Sequence, residues 1–403
     1  MTAVAVLGIV VAFIAIVMLV QRKVQVGLAL LIGALIVGLS SGKGLGTLFS
    51  IGIESLVDPN SVQLILTLGM ISLLGHVMQE GGVLAKMVAL LQVTLRSTKL
   101  TIMLVPSLIG TLIVAGGAIM SAPTVEKLGG ELELSRERMA AINLLFRHAW
   151  FFVYPLIPAF ILITNMTGLP LSRLLAWQLP LTVTLLAAGY FTYLRGVPDI
   201  IPSSPRPTRR DFWHLLWYTS PIWISLLLTV AGGLSFPVAL LVGVILALFL
   251  GDSGLEHYPR MLYRGLNASM IGAGVGIVIF QGVMSRVETL PLLINRLLET
   301  GLPVSVLYVV LPFFAGMISA SNTSALGLTL PLLVPAMQAT DTVLLGTVVA
   351  YTSSFLGYFG SPLHLCQVAT TTHFKCQVLP LYREYRWPAA AVIATLVVLG
   401  VVM

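Results

Sequence analysis

The sequence predicts an all-α polytopic membrane protein of two inverted-topology repeats, each with a re-entrant helical hairpin and a broken transmembrane helix. Three observations carry that prediction. Hydrophobic residues make up 57% of the 403 and charged residues only 9%, with a mean hydropathy of +1.00, far from the roughly 25% charge of a soluble domain. Apolar stretches of spanning length recur along the chain, and several are interrupted by proline, glycine and polar residues. Short sequence matches return in the same order in both halves.

Stretches of about 18 apolar residues mark spanning candidates. In order they are Ala3–Val20, Val24–Leu39, Val62–Met78, Ile102–Met120, Trp150–Met166, Leu174–Leu194, Trp213–Ala231, Phe236–Leu250, Ala268–Met284, Val304–Val334, Thr342–Val368 and Trp387–Met403. The first ends at Arg22-Lys23 with no basic residue before it, the reverse of a signal peptide's charge order. The fourth and tenth carry Pro and Gly at matching places and polar tips, and the fifth and eleventh are broken by paired prolines or glycines. Segments 44–57, 84–95, 254–264 and 289–300 are amphipathic and suit interfacial helices or connecting arms.

The halves resemble each other. Ala29-Leu30-Leu31-Ile32-Gly33 matches Ala239-Leu240-Leu241-Val242-Gly243, Pro106 with Gly110 matches Pro312 with Gly316, and Tyr154 to Pro158 falls where Tyr358 to Pro362 falls. Order and near-constant spacing indicate an internal duplication. Residues 1–195 form the first repeat, with a hairpin at about 100–128 and a broken helix at about 148–168. A Pro- and Arg-rich cytoplasmic linker, 196–211, leads to the second repeat, 212–403, with its hairpin at about 302–338 and broken helix at about 342–372.

If each hairpin returns to the side it entered, each half has an odd number of crossings and the second half is inverted. With both termini outside, only Lys43, Arg173, Arg286 and Arg296 of the 22 basic residues lie outside, as the positive-inside rule requires. The net charge of +7 is spread between apolar runs with no basic block, so the bilayer is the expected partner and nucleic acid is not. Cys366 and Cys376 show neither CxxC spacing nor a histidine cluster in sequence, so no disulfide, cofactor or metal is expected beyond a coupling sodium.

Irregular backbone at membrane depth is tolerated only where protein buries it or water reaches it. Two such sites per repeat imply a central cavity, where half-helix N-termini face anions and unwound carbonyls hold cations. In Gly316 to Gly327, Ser321, Asn322, Thr323 and Ser324 offer donors for a carboxylate. In the first hairpin, Ser121 and Thr124 are the equivalent donors and Pro123 suits a helix's first turn. The alternative is that these hydroxyls only cap or back-bond within ordinary membrane helices. Ser361 and His364 lie at the second break as candidate substrate ligands; His364 is a substrate ligand or proton carrier, or else a histidine satisfied by neighbouring carbonyls. Sodium would find oxygens at Gly117, Asn322, Thr323, Gly357 and Gly360, and a coupling proton would use His148 or His364. Arg147 is read as a positive-inside residue at the rim, with a role in drawing anions inward as the alternative. No acidic residue lies in the middle of a span, which disfavours a carboxylate proton relay.

At these residues the chain resembles the ion-transporter superfamily of gluconate, citrate and dicarboxylate permeases. Arg147-His148, the Tyr-Pro-Leu-Ile-Pro run from Tyr154 and Ser-Asn-Thr-Ser-Ala-Leu-Gly from Ser321 are similar to the DUF401 membrane family within it. The resemblance implies a scaffold and a moving block, elevator-type movement, a homodimer and the cytoplasmic membrane of a prokaryote. Ser321-Asn322-Thr323 is similar to the Ser-Asn-Thr triplet that dicarboxylate-sodium symporters carry in both hairpins. This chain departs from them, with Met120-Ser121-Ala122-Pro123-Thr124 in the first.

The expected function is therefore an ion-coupled secondary transporter of a small organic anion, most simply a carboxylate, and no enzyme. A cation/proton antiporter using His148 or His364 is the alternative. An intramembrane serine hydrolase built on Ser354 and His364 would lack any Gly-x-Ser-x-Gly elbow, HExxH or membrane aspartate pair.

Overall fold

The structure, a computed structural model, describes residues 2–22, 24–111, 117–200, 207–287 and 303–403. Among them every regular element is a helix. The first half comprises α1 (Thr2–Gln21), α2 (Val26–Ser40), α3 (Leu45–Val57), α4 (Pro59–Glu80), α5 (Val83–Thr94), α6 (Thr98–Thr111), α7 (Gly117–Glu131), α8 (Arg136–His148), α9 (Pro158–Thr167) and α10 (Leu171–Tyr193). The second comprises α11 (Arg209–Val230), α12 (Phe236–Leu250), α13 (Tyr258–Gly265), α14 (Ala268–Met284), α15 (Val304–Ser319), α16 (Asn322–Ala339), α17 (Val343–Gly360), α18 (Leu365–Phe374) and α19 (Val378–Val402). Residues 112–116 of the expected first hairpin, part of the linker and the amphipathic segment 289–300 lie outside the described residues.

Helix starts follow local chemistry. Asp58 accepts from Ser61 N at 2.9 Å with Pro59 in the first turn of α4, Ser135 caps α8, and Thr208 with Asp211 forms a capping box on α11. Five helical segments are long and apolar enough to cross a membrane: Pro59–Glu80, Leu171–Tyr193, Leu255–Met284, Val343–Phe374 and Val378–Val402. Shorter apolar helices accompany them, and large apolar side chains such as Phe249 and Val401 stay exposed. Those are the features of a multi-pass membrane protein.

A central layer forms where α2 packs on α14 and α4 on α12, with α1 against α2 and α11 against α12. Around it, α6 lies along α8 and α15 along α17. Both pairs approach closely at glycine. A Cβ on Gly110 would lie 2.1 Å from the Arg147 carbonyl oxygen, and one on Gly316 would lie 2.3 Å from that of Ser354. The later arms cross over between halves, α7 packing on α18 and α16 on α9.

Two expectations change. Ser121, Pro123 and Thr124 lie inside α7, which starts at Gly117, so Pro123 is not in a first turn. The second broken helix stays helical through Gly357 to Gly360 and opens only at Ser361 to His364. Gly357 serves close packing instead of unwinding, since a Cβ there would lie 1.9 Å from the Phe313 carbonyl oxygen. The first break is longer: α8 ends at His148, a 3-10 turn spans Ala149–Phe152, and helix resumes at Pro158.

Candidate functional site

The tip between α15 and α16 turns at Ala320, whose φ of 50° is left-handed. Ser321 then caps α16, its Oγ accepting from Ser324 N at 3.2 Å and from Ser324 Oγ at 2.8 Å, while Ser319 Oγ donates to the Ser321 carbonyl at 3.1 Å. The tip is docked on the second broken helix, because Ser361 Oγ donates to the Met317 carbonyl at 2.6 Å and Ser354 Oγ to that of Asn322 at 3.4 Å. Asn322 is 4% exposed, lies beside the Tyr351 hydroxyl, and has neither side-chain polar atom hydrogen-bonded among the described residues.

Ser321 to Ser324 line a chamber of about 340 Å³ with Phe151, Ile157 and Pro158 of the first break. The N-terminus of α16 thus faces a space walled mainly by apolar groups, where its dipole favours an anion. A second chamber of about 330 Å³ is lined by His76, Gln79, Arg147, His148, Arg264 and Cys366 among others. Phe151, Asn267, Met270 and Tyr358 line both, so the chambers adjoin. Asn267 is held there by capping α14, accepting from Ser269 N and Met270 N.

Electrostatics distinguish the second chamber. Arg147 is 5% exposed, and among the described residues its Nη1 has no hydrogen-bond partner and none of the four ion pairs includes it. Neither chamber's lining contains an Asp or Glu. Arg147 sits in the last turn of α8, and a helix C-terminus offsets about 0.3–1 kcal/mol. Burying a charge costs several kcal/mol, so the guanidinium lacks most of its compensation.

Beside it, His148 Nδ1 lies 2.7 Å from the Leu144 carbonyl oxygen and Nε2 lies 3.1 Å from the Tyr358 hydroxyl. A carbonyl only accepts, so Nδ1 carries the proton and Nε2 of the neutral ring accepts from Tyr358. His364 packs 4.9 Å from the His148 ring and 4.2 Å from that of Tyr358, centroid to centroid. Neither of its ring nitrogens has a hydrogen-bond partner among the described residues.

The family model described as "Protein of unknown function (DUF401)" matches residues 3–402. The chain belongs to that family. No curated protein matches it.

In this DUF401 protein the residues expected from sequence divide into two groups. Ser321, Asn322, Thr323 and Ser324 line a chamber together, and His148 and His364 meet at its neighbour. Ser121 and Thr124 line neither chamber. Ser121 donates to Asn143 Oδ1 at 2.6 Å, and Asn143 Nδ2 donates to the Ala118 carbonyl at 3.1 Å and to Thr370 Oγ1 at 3.0 Å, a network that ties α7 to α8 and α18. Ser361 is committed to docking the hairpin. The Gly360 carbonyl accepts from the Tyr382 hydroxyl at 2.8 Å, Gly357 is inside α17 and Gly117 is the first residue of α7.

Three lining residues were missed or undervalued: Arg147, Tyr358 and Asn267. Only Arg147 carried a usable signal. It follows an apolar run at the foot of a broken helix, and positions three and four away on either side are Leu144, Asn143, Trp150 and Phe151, with no carboxylate to pair.

Proposed function

We propose that this protein is an ion-coupled secondary transporter of a small organic anion whose carboxylate is held by Arg147. The buried guanidinium without a counter-charge, opening on a chamber without acidic residues, is the observation that carries the reading. Asn322, Thr323 and the N-terminus of α16 contact the rest of the substrate from the adjoining chamber. Together the chambers suit a molecule of metabolite size.

Transport by two inverted repeats has support from the packing. Three contacts between the halves have counterparts among the described residues: α2 on α14 with α12 on α4, α3 on α14 with α13 on α4, and α7 on α18 with α16 on α9. Loops assigned to one side of the membrane by the charge count also meet one another. Asp252 N donates to the Gly81 carbonyl, Glu126 pairs with His373 on the same side, and Glu54 pairs with Arg286 on the other. In an elevator the central layer of α1–α4 and α11–α14 would be the scaffold, and the hairpins with their broken helices the moving block.

Sodium or protons supply the driving gradient in this reading. The antiporter alternative has less support, because neither chamber offers a carboxylate to carry a proton or a sodium ion. Reconstituted protein should accumulate at least one carboxylate between acetate and citrate under a sodium or pH gradient. Failure of all of them to move under either gradient contradicts the proposal.

A further inference from the structure

The two breaks bring a third functional group to the histidine pair. Cys366 is the second residue of α18, and its thiol and one nitrogen each of His148 and His364 lie within 4.8 Å of one another. Nothing in anion transport requires a thiol there. We propose that His148, His364 and Cys366 form a binding site for a soft monovalent metal ion, with Cu(I) the ion its chemistry fits.

Geometry and charge both point that way. The proton on His148 Nδ1 is held by the Leu144 carbonyl, so the free lone pair is on Nε2, as a metal-ligating histidine presents it. His364 is 2% exposed, and among the described residues neither ring nitrogen has a hydrogen-bond partner, although a buried imidazole ordinarily finds one. Metal bonds of about 2.0–2.3 Å place opposed ligands a little over 4 Å apart, so closing the site takes side-chain shifts of under about 1 Å. The Tyr358 hydroxyl must yield Nε2 to the ion.

Imidazole and thiolate together select Cu(I) or Zn²⁺, and Arg147 decides between them. Arg147 precedes His148 in the chain and lines the same chamber as His148 and Cys366. On binding, the thiol loses its proton to solvent, and Cu(I) with one thiolate and two neutral imidazoles carries no net charge. A divalent ion would leave one positive charge beside another. At an effective dielectric near 20 and a few ångströms, that repulsion weakens binding on the order of a thousandfold.

The test titrates the full chain, purified in detergent without oxygen, with Cu(I) against a chromogenic Cu(I) chelator, and in parallel with Zn²⁺ against a zinc dye. The wild type should withdraw one equivalent of Cu(I) and bind Zn²⁺ at least tenfold more weakly. His364→Gln and Cys366→Ser should each weaken Cu(I) binding tenfold or more, Tyr358→Phe should retain it, and Cys376→Ser should match the wild type. Serine nearly preserves the shape of cysteine, so Cys366→Ser decides the matter if His364→Gln does not fold. No withdrawal by the wild type, wild-type affinity in Cys366→Ser, or equal affinity for Zn²⁺ overturns the site.

Discussion

The Tyr358 hydroxyl donates to His148 Nε2 at 3.1 Å across 210 residues of sequence, tying the second broken helix to the end of α8. Both side chains are buried, so losing the bond leaves a polar atom unsatisfied. Tyr358→Phe should cost about 1–3 kcal/mol. In a double-mutant cycle with His148→Leu, thermal unfolding should show a coupling of at least about 0.5 kcal/mol. Strict additivity would mean that the two side chains do not interact.

Gly357 and Gly360 separate two roles that the sequence cannot tell apart. A Cβ on Gly357 would lie 1.9 Å from the Phe313 carbonyl oxygen, whereas one on Gly360 meets nothing within 4 Å. Gly357→Ala must push α17 away from α15, at about 1–3 kcal/mol or more because the obstacle is backbone. Gly360→Ala should stay within about 0.5 kcal/mol of wild type. Thermal unfolding of both variants checks the contrast; equal melting points would contradict it.

That pair shows where the sequence was legible. Hydropathy located the apolar segments because lipid-facing and core-facing residues are both apolar. Ser321 is legible as a polar residue at a helix start, but its side chain caps α16, which the sequence offers only as the alternative to holding a carboxylate. Ser121 was assigned the same role by analogy of position, but its hydroxyl is bonded to Asn143, 22 residues on, which no local rule detects. Gly357 was read as a place where helix unwinds, since glycine's missing side chain serves unwinding and close approach alike. Arg147 is legible as a charge at the end of a helix; its burial without a counter-charge depends on how α6, α8 and the second break assemble.

Lys86 on α5 pairs with Asp252 at 2.5 Å, bracing the first half against the α12–α13 loop. The hydrogen bond to Asp252 raises the Lys86 ammonium above its ordinary 10.5. A raised lysine contributes stability that is fully present below about pH 10.5 and lost as pH climbs through the folded value. Asp252 is largely exposed, so Asp252→Asn should cost only about 0.2–1 kcal/mol at neutral pH. Melting curves of the two proteins should converge above that range; a difference that grows with alkalinity would have the wrong sign.

If Arg147 waits for an anion, ligand-dependent melting of Arg147→Met against wild type reveals it. Methionine keeps much of the side chain's volume and removes the uncompensated charge, so the ligand-free variant should melt no lower than wild type. A transported carboxylate at about 100 times its Kd should stabilise wild type by about 2.7 kcal/mol, a shift of several degrees. The variant should show no shift. A full ligand shift in Arg147→Met, or a variant markedly less stable than wild type without ligand, would contradict the account.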